Sequence, residues 1–204
     1  MTGFETSLAN GIKYLDIDID KEKQHKLISY LYHIEKWNKV YNLTAILDFE
    51  EMLVRHLLDC IAVYPYINDD NILDIGSGAG LPSVVLAIIK PSLKVYALDS
   101  VGKKCNFMNY VKSEFNLNNL KVINDRVELY KTNDKFNQII TRAFADIDKT
   151  IELSNHLLAN KGRYLFMKSD SFYKESLSQY NNVIIHKLKI PRILNNRYLV
   201  EILI

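Results

Sequence analysis

The chain has 204 residues, 48% of them hydrophobic, and its 26 basic side chains nearly balance 24 acidic ones for a net charge of +2. That length suits one domain with an appendage and a sizeable core, and the balanced charge excludes nucleic-acid binding through bulk basicity, so any such site must be a local patch. No apolar run reaches the ~20 residues of a membrane span and the N-terminus lacks a signal-peptide layout, so a cytoplasmic location without membrane attachment is expected.

Apolar spacing predicts a short helix over residues 5–14 and an amphipathic helix over 21–43, with Leu27, Ile28, Leu31, Ile34, Val40 and Leu43 on its buried face. Asp48 is placed to cap a third helix running from Phe49 to Val63. Residues 1–67 thus read as an N-terminal helical extension, closed by the turn-forming run from Pro65 to Asn71, and residues 68–204 as the second domain. There, strands and helices alternate: strand 71–75, helix 81–90, strand 93–99, helix 102–116, and strands 120–124 and 136–141. A helix at about 146–160 leads through Gly162 into strand 163–168, and a further helix follows. Strands 182–190 and 197–204 are joined by a link too short for a crossover helix, so they are expected to be antiparallel. This is an α/β pattern, similar to the class I S-adenosylmethionine (SAM) methyltransferase, Rossmann-like fold: a seven-stranded, mainly parallel sheet with helices on both faces and the N-terminal helical extension.

The first strand runs into Asp74-Ile75-Gly76-Ser77-Gly78-Ala79-Gly80-Leu81-Pro82. Glycines at alternate positions allow positive φ and close approach of a ligand to the backbone, and Pro82 suits the first turn of a helix. A dinucleotide fingerprint would place its third glycine where Leu81 stands, which argues against a pyrophosphate. Nineteen residues after Gly80 the second strand ends at Asp99, an acid placed to accept ribose hydroxyls. The loop Asn124-Asp125-Arg126-Val127-Glu128 follows the third strand, where an adenine would sit, or is an ordinary helix cap. Arg142 ends the fourth strand, where an acceptor base would enter; it is expected to position substrate through a phosphate or guanine O6. Phe144 beside it reads as core or as a stacking surface. Methyl transfer is an in-line displacement, and guanine N7 has a free lone pair and no proton to lose, so no general base is required. None stands out: the five histidines lack metal or triad spacing, and Cys60 and Cys105 read as buried apolar side chains.

These residues resemble the RsmG (GidB) family, the bacterial 16S rRNA guanine-N7 methyltransferases. The resemblance runs through Trp37–Thr44, Arg55–Asp59, the glycine loop, Leu98–Lys104, Arg126–Glu128, Thr141–Ala145 and His156–Arg163. It implies methyl transfer from S-adenosylmethionine to N7 of a guanine in the 530-region hairpin of 16S rRNA. The partner is the small ribosomal subunit or its precursor, and the enzyme is expected to be monomeric. Cofactor binding is expected at Asp74, Gly76, Ser77, Gly78, Gly80, Leu81, Asp99, Ser100, Arg126, Val127, Glu128 and Arg142. RNA binding is expected at Lys103, Lys104, Arg126 and Arg142. Ser83 departs from the family pattern, which more often has glycine there. Trp37–Thr44 reads as a helix stop that orders the extension against the sheet, or as a segment that helps bind RNA. The competing readings are a nicotinamide-dependent reductase, which Leu81 disfavours, and a non-catalytic SAM-binding ribosome-assembly module.

Overall fold

The computed structural model describes residues 3–68 and 70–204. Seven strands, β1 (Asn71–Ile75), β2 (Lys94–Asp99), β3 (Leu120–Asn124), β4 (Phe136–Arg142), β5 (Leu158–Ser169), β6 (Val183–Leu188) and β7 (Arg197–Leu203), form one sheet in the order β3-β2-β1-β4-β5-β7-β6. The first five are parallel, and β7 lies antiparallel to both β5 and β6, as the short link between the last two strands requires. Strand order reverses between β1, which precedes β2, and β4; in an open parallel sheet, the crevice beyond the strand ends at this point receives ligands.

The extension comprises α1 (Gly3–Tyr14), α2 (Lys21–Tyr41), α3 (Phe49–Met52), a π-helical turn (Leu53–Leu58) and α4 (Asp59–Ile61). Asp20 caps α2 by accepting the Lys23 N–H, and Asn42, at φ 51°, ends it two residues short of the expected limit. Val40 therefore falls on the last turn and is 72% exposed instead of buried. The Asn38 side chain explains the stop: it donates to the Thr44 carbonyl and accepts from the Thr44 N–H, folding the chain back on itself. Leu8, Leu27, Leu31, Ile34 and Leu58 of the extension share one buried cluster with α5 (Ser83–Ile89) and α6 (Gly102–Glu114). That cover explains why every residue of α5 is buried, a pattern a surface helix does not show. The opposite face is closed by α7 (Ile147–Ser154) and the segments around Val127 and Phe172.

Two expected elements differ. The helix from about 146 to 160 stops at Ser154, whose hydroxyl donates back to the Thr150 carbonyl and pairs with the Tyr164 hydroxyl; β5 already begins at Leu158, opposite Phe136. Leu157 and Leu158 are buried in either arrangement, so their periodicity does not separate helix from sheet. The helix expected after residue 168 is a single 3-10 turn, Asp170–Lys174.

Far from the crevice, Glu201 on β7 accepts from Arg163 (2.5 Å) and pairs with His186 (2.9 Å), while Arg163 also donates to Gln138 and to the Tyr66 carbonyl of the turn before β1. Burial works to raise the Glu201 carboxyl, but its partners win and hold it below the usual glutamate value of 4.5. A depressed acid stabilises the fold above its unfolded value and loses that contribution as pH falls through the folded one. Thermal melts are expected to lose stability on acidification below pH 4.5, and Glu201→Gln to flatten that part of the profile; an unchanged slope would remove this network from the account.

Candidate functional site

The glycine turn is set by hydrogen bonds at the end of β1. Gly76 and Ser77 donate their N–H groups to the Leu98 carbonyl, and the Ser77 hydroxyl donates to the carbonyls of Asp74 (2.9 Å) and Leu98 (3.3 Å). Gly76, Gly78 and Gly80 all have positive φ, at 69°, 60° and 92°. Their surroundings differ. A Cβ on Gly76 would meet the Phe144 ring at 2.8 Å, and one on Gly80 would meet Val84 at 2.4 Å and the Tyr30 hydroxyl at 3.3 Å. At Gly78 a Cβ would reach nothing closer than the Gly76 carbonyl oxygen at 4.0 Å, so here the backbone is open to a ligand. Leu81 is 4% exposed and belongs to the core. Pro82 stands just before α5, after a cis Leu81–Pro82 peptide, and not within its first turn. Ser77, Gly80 and Leu81 thus shape the turn from beneath and do not line the cleft.

Asp99 closes the other side of the turn. One carboxylate oxygen accepts the Gly78 N–H and the other the Val101 N–H, each at 2.8 Å, with the Lys104 ammonium 4.0 Å away. A carboxylate has about four acceptor positions, so two backbone donors leave room for a pair of ribose hydroxyls. A cleft of about 490 Å³ opens beside it, lined by Gly76, Asp99, Ser100, Val101, Lys104, Asp125 to Glu128, Ala143 and Phe144. The aperture in the backbone at Gly78, the buried acid and the Val127 loop fit an adenosine-bearing cofactor. Lys104, expected at RNA, faces this cleft, held by the charge of Asp99. Arg126 is largely exposed at the cleft's edge and pairs with Glu128 at 3.8 Å; Lys103 is exposed on α6 and outside the lining.

Asp74 lies below the cleft and is fully buried. One of its oxygens accepts the Ser83 N–H at 3.1 Å and the other has no hydrogen-bond partner. Burial pushes its carboxyl up to about 6, against the opposing pull of Ser83, Ser77 and Arg142. A raised acid holds its proton more tightly in the folded state, so the fold gains stability as pH falls from 6 towards 3.8 and bears the full cost of the charge above 6. That cost is on the order of 3 kcal/mol, because the folded protein binds the proton roughly a hundredfold more tightly than the unfolded chain does. Asp74→Asn is expected to match or exceed the wild-type melting temperature at pH 8 while weakening binding of a cationic ligand in the cleft above it about tenfold. A lower melting temperature at pH 8 would contradict the reading of Asp74 as a buried charge whose partners do not offset its desolvation.

A second cleft, of about 400 Å³, meets the first at Ala143. It is lined by Ile46, Arg55, His56, Asp59, Arg142, Lys168, Glu175, Arg197 and Tyr198 among others. Ala143 has φ 59°, a left-handed conformation costing ~1–2 kcal/mol for a residue with a Cβ, which turns the chain so that Phe144 covers Gly76. Phe144 is 37% exposed, neither core nor part of a helix. Arg142 lies in the second cleft and not with the cofactor residues: it donates to the Arg55 carbonyl at 3.0 Å and pairs with Asp59 at 3.6 Å. Lys168 donates to the Ala145 carbonyl and to Glu175, which in turn accepts the Ile147 N–H, so the loop after β4 is clamped from outside.

Several side chains in this region carry no sequence signal of their own. Tyr30, fully buried on α2, donates to the Ala79 carbonyl at 2.6 Å and so fixes the glycine turn from the extension. His56, read from the sequence as structural, lines the second cleft; its Nε2 pairs with the Thr44 hydroxyl at 2.9 Å. Burial and the Arg142 charge press its pKa down to about 4, so it is neutral near pH 7. The Trp37–Thr44 segment thus does order the extension, and it also fixes a wall of this cleft. In the sequence Arg197 is only one basic residue among many, and Asp59 only part of a motif; contacts between distant segments give both their place.

Compared with known proteins, residues 23–199 match the family described as rRNA small subunit methyltransferase G. A relative called "Ribosomal RNA small subunit methyltransferase G" from Ruthia magnifica is 47% identical over 96% of this chain and 95% of its own. One of the same name from Coxiella burnetii is 36% identical over 96% of each. Among solved structures, TrmK of M. capricolum in complex with S-adenosyl-homocysteine has a TM-score of 0.57 at 18% identity, covering 71% of this chain and 66% of that one. An rRNA methylase from Streptococcus thermophilus has a TM-score of 0.51 at 17% identity, covering 72% and 93%. These structures are alike in fold, the class I methyltransferase architecture expected from the order of the elements.

Proposed function

The chain belongs to the rRNA small subunit methyltransferase G family, and we propose that it transfers a methyl group from S-adenosylmethionine to N7 of a guanine in the 530-region hairpin of 16S rRNA. The observation that carries this reading is that the cleft beside Asp99 and the arginine-lined cleft meet at Ala143, so that a donor held in the first would face an acceptor held in the second.

When bound, S-adenosylmethionine supplies an electrophilic methyl group on a sulfonium. Asp99 would accept the ribose hydroxyls, with the backbone open at Gly78 and Gly76 in the cleft wall beside Phe144. Ser100, Val127 and Glu128 line the part of the cleft that would hold the adenine, with Arg126 at its edge. Asp74 sets negative charge beneath the turn, while Ser77, Gly80 and Leu81 hold its shape. Across Ala143, Arg142 orients the acceptor through a phosphate or guanine O6, leaving the N7 lone pair free to attack in line. His56, whose low basicity makes it a poor proton acceptor, suits an acceptor with no proton to remove. Lys103, exposed on α6, and Arg126, exposed at the cleft's edge, would contact phosphates of the surrounding RNA. The protein acts as a monomer on the small subunit or its precursor.

The test is transfer of labelled methyl to small subunits from a strain lacking the modification, followed by mass spectrometry of the labelled nucleoside and its position. Labelled 7-methylguanosine in the 530 region is expected. Another labelled base would discard the acceptor named here, and SAM binding without any labelling would favour the non-catalytic module.

A further inference from the structure

Three side chains from separate parts of the chain converge in the second cleft. Asp59 begins α4 in the helical extension, Arg142 ends β4, and Arg197 begins β7. Asp59 is 6% exposed, with one carboxylate oxygen 3.6 Å from Arg142 Nη1 and the other 3.4 Å from Arg197 Nε. The guanidinium-bearing side chains remain about a quarter exposed, at 23% and 24%, and both line the cleft. Arg142 is held from behind a second time by the Arg55 carbonyl. Each guanidinium has five N–H donors in a fixed plane, so anchoring by one or two acceptors behind it leaves others to face a ligand.

We propose that Asp59 is a positioning residue that joins Arg142 and Arg197 into one two-pronged clamp for the phosphodiester beside the acceptor nucleotide. The ligand named here rests on the function proposed above. Paired guanidiniums set at a fixed spacing suit a tetrahedral anion, which accepts bidentate hydrogen bonds. The alternative physical role for Asp59, neutralising two neighbouring cations, predicts the opposite experimental sign. A carboxylate that only neutralises competes with the incoming phosphate, and its removal strengthens RNA binding. One that positions the arginines weakens RNA binding when it is removed.

The test is methylation kinetics on unmodified small subunits over a series of salt concentrations, with SAM affinity measured separately by calorimetry. Asp59→Asn is expected to raise KM for the subunit about tenfold, the equivalent of one charge-assisted hydrogen bond, with SAM affinity changed less than about twofold. The slope of log KM against log salt is expected to fall by about one phosphate contact. Combined with Arg197→Met, Asp59→Asn is expected to add little beyond Arg197→Met alone. Asp59→Glu, which keeps the charge but displaces it, is expected to raise KM too and guards against an Asn variant that folds poorly. A lower KM for Asp59→Asn, or wild-type KM and salt slope in Asp59→Glu, would overturn the clamp. Absence of methyl transfer by the wild-type protein would overturn the proposed function and the ligand with it, so the two failures are told apart.

Discussion

Asp99→Ala is expected to lower affinity for S-adenosylmethionine by at least ~100-fold and to reduce fold stability as well. The carboxylate bridges two loops, taking the Gly78 N–H with one oxygen and the Val101 N–H with the other. Alanine removes the acceptor for both and leaves two donors in a region where Asp99 itself is only 5% exposed. Each unsatisfied buried donor costs about 1–3 kcal/mol, and the lost ribose hydrogen bonds to a charged group add about 1.5–3 kcal/mol to the binding deficit. Calorimetry reads the affinity and a urea melt the stability. Asp99→Asn separates the two effects, since one oxygen of the amide still accepts while its NH₂ faces a backbone donor. Near-wild-type SAM binding by Asp99→Ala would remove Asp99 from the cofactor site and return the cleft to an unassigned cavity.

The second large effect distinguishes two glycines of one turn. Gly80→Ala places a methyl 2.4 Å from Val84 Cγ2 at a φ of 92°, and Tyr30, whose hydroxyl holds the Ala79 carbonyl, lies only 3.3 Å from it. Overpacking and strain together are expected to cost about 3 kcal/mol or more and to disorder the turn. Gly78→Ala meets open space, so the protein is expected to fold with a penalty of ~1–2 kcal/mol for the left-handed backbone. The new methyl occupies the open side of the backbone at Gly78, and SAM affinity is expected to fall more than about tenfold. Melting and binding measured on both variants test the assignment: Gly80→Ala fails in stability first, Gly78→Ala in binding. Wild-type affinity in Gly78→Ala would show that the cofactor does not lie against this part of the turn.

The same turn shows how far local chemistry is readable. Alternate glycines permit positive φ, Leu81 stands where a dinucleotide loop has its third glycine, and Asp99 ends the next strand; each statement concerns a few neighbouring residues, and in the structure the three glycines do take positive φ and Asp99 does end β2. The antiparallel closing hairpin is readable because a short link admits no crossover. Val40 and the helix through residue 160 mislead because apolar spacing does not say where a helix stops. Asn38 reaching Thr44 ends one helix, and pairing of Leu158 with Phe136 ends the other, both through partners outside the local pattern.

By itself the sequence determined the order and type of most elements, the glycine turn and the strand-end acid, because each depends on backbone preference or spacing over a few residues; the chemistry came from the resemblance of motifs spread along the chain. The tertiary structure alone decided how those residues divide between two clefts. It set Lys104 beside Asp99 in the first cleft and Arg142 in the second, and Tyr30 under the glycine turn. It also brought Asp59 of the extension between two arginines from separate strands of the sheet. The physical reason is one of range: hydrogen bonds and ion pairs act over a few ångströms between groups that chain folding brings together, and neither composition nor periodicity encodes which distant segments will meet.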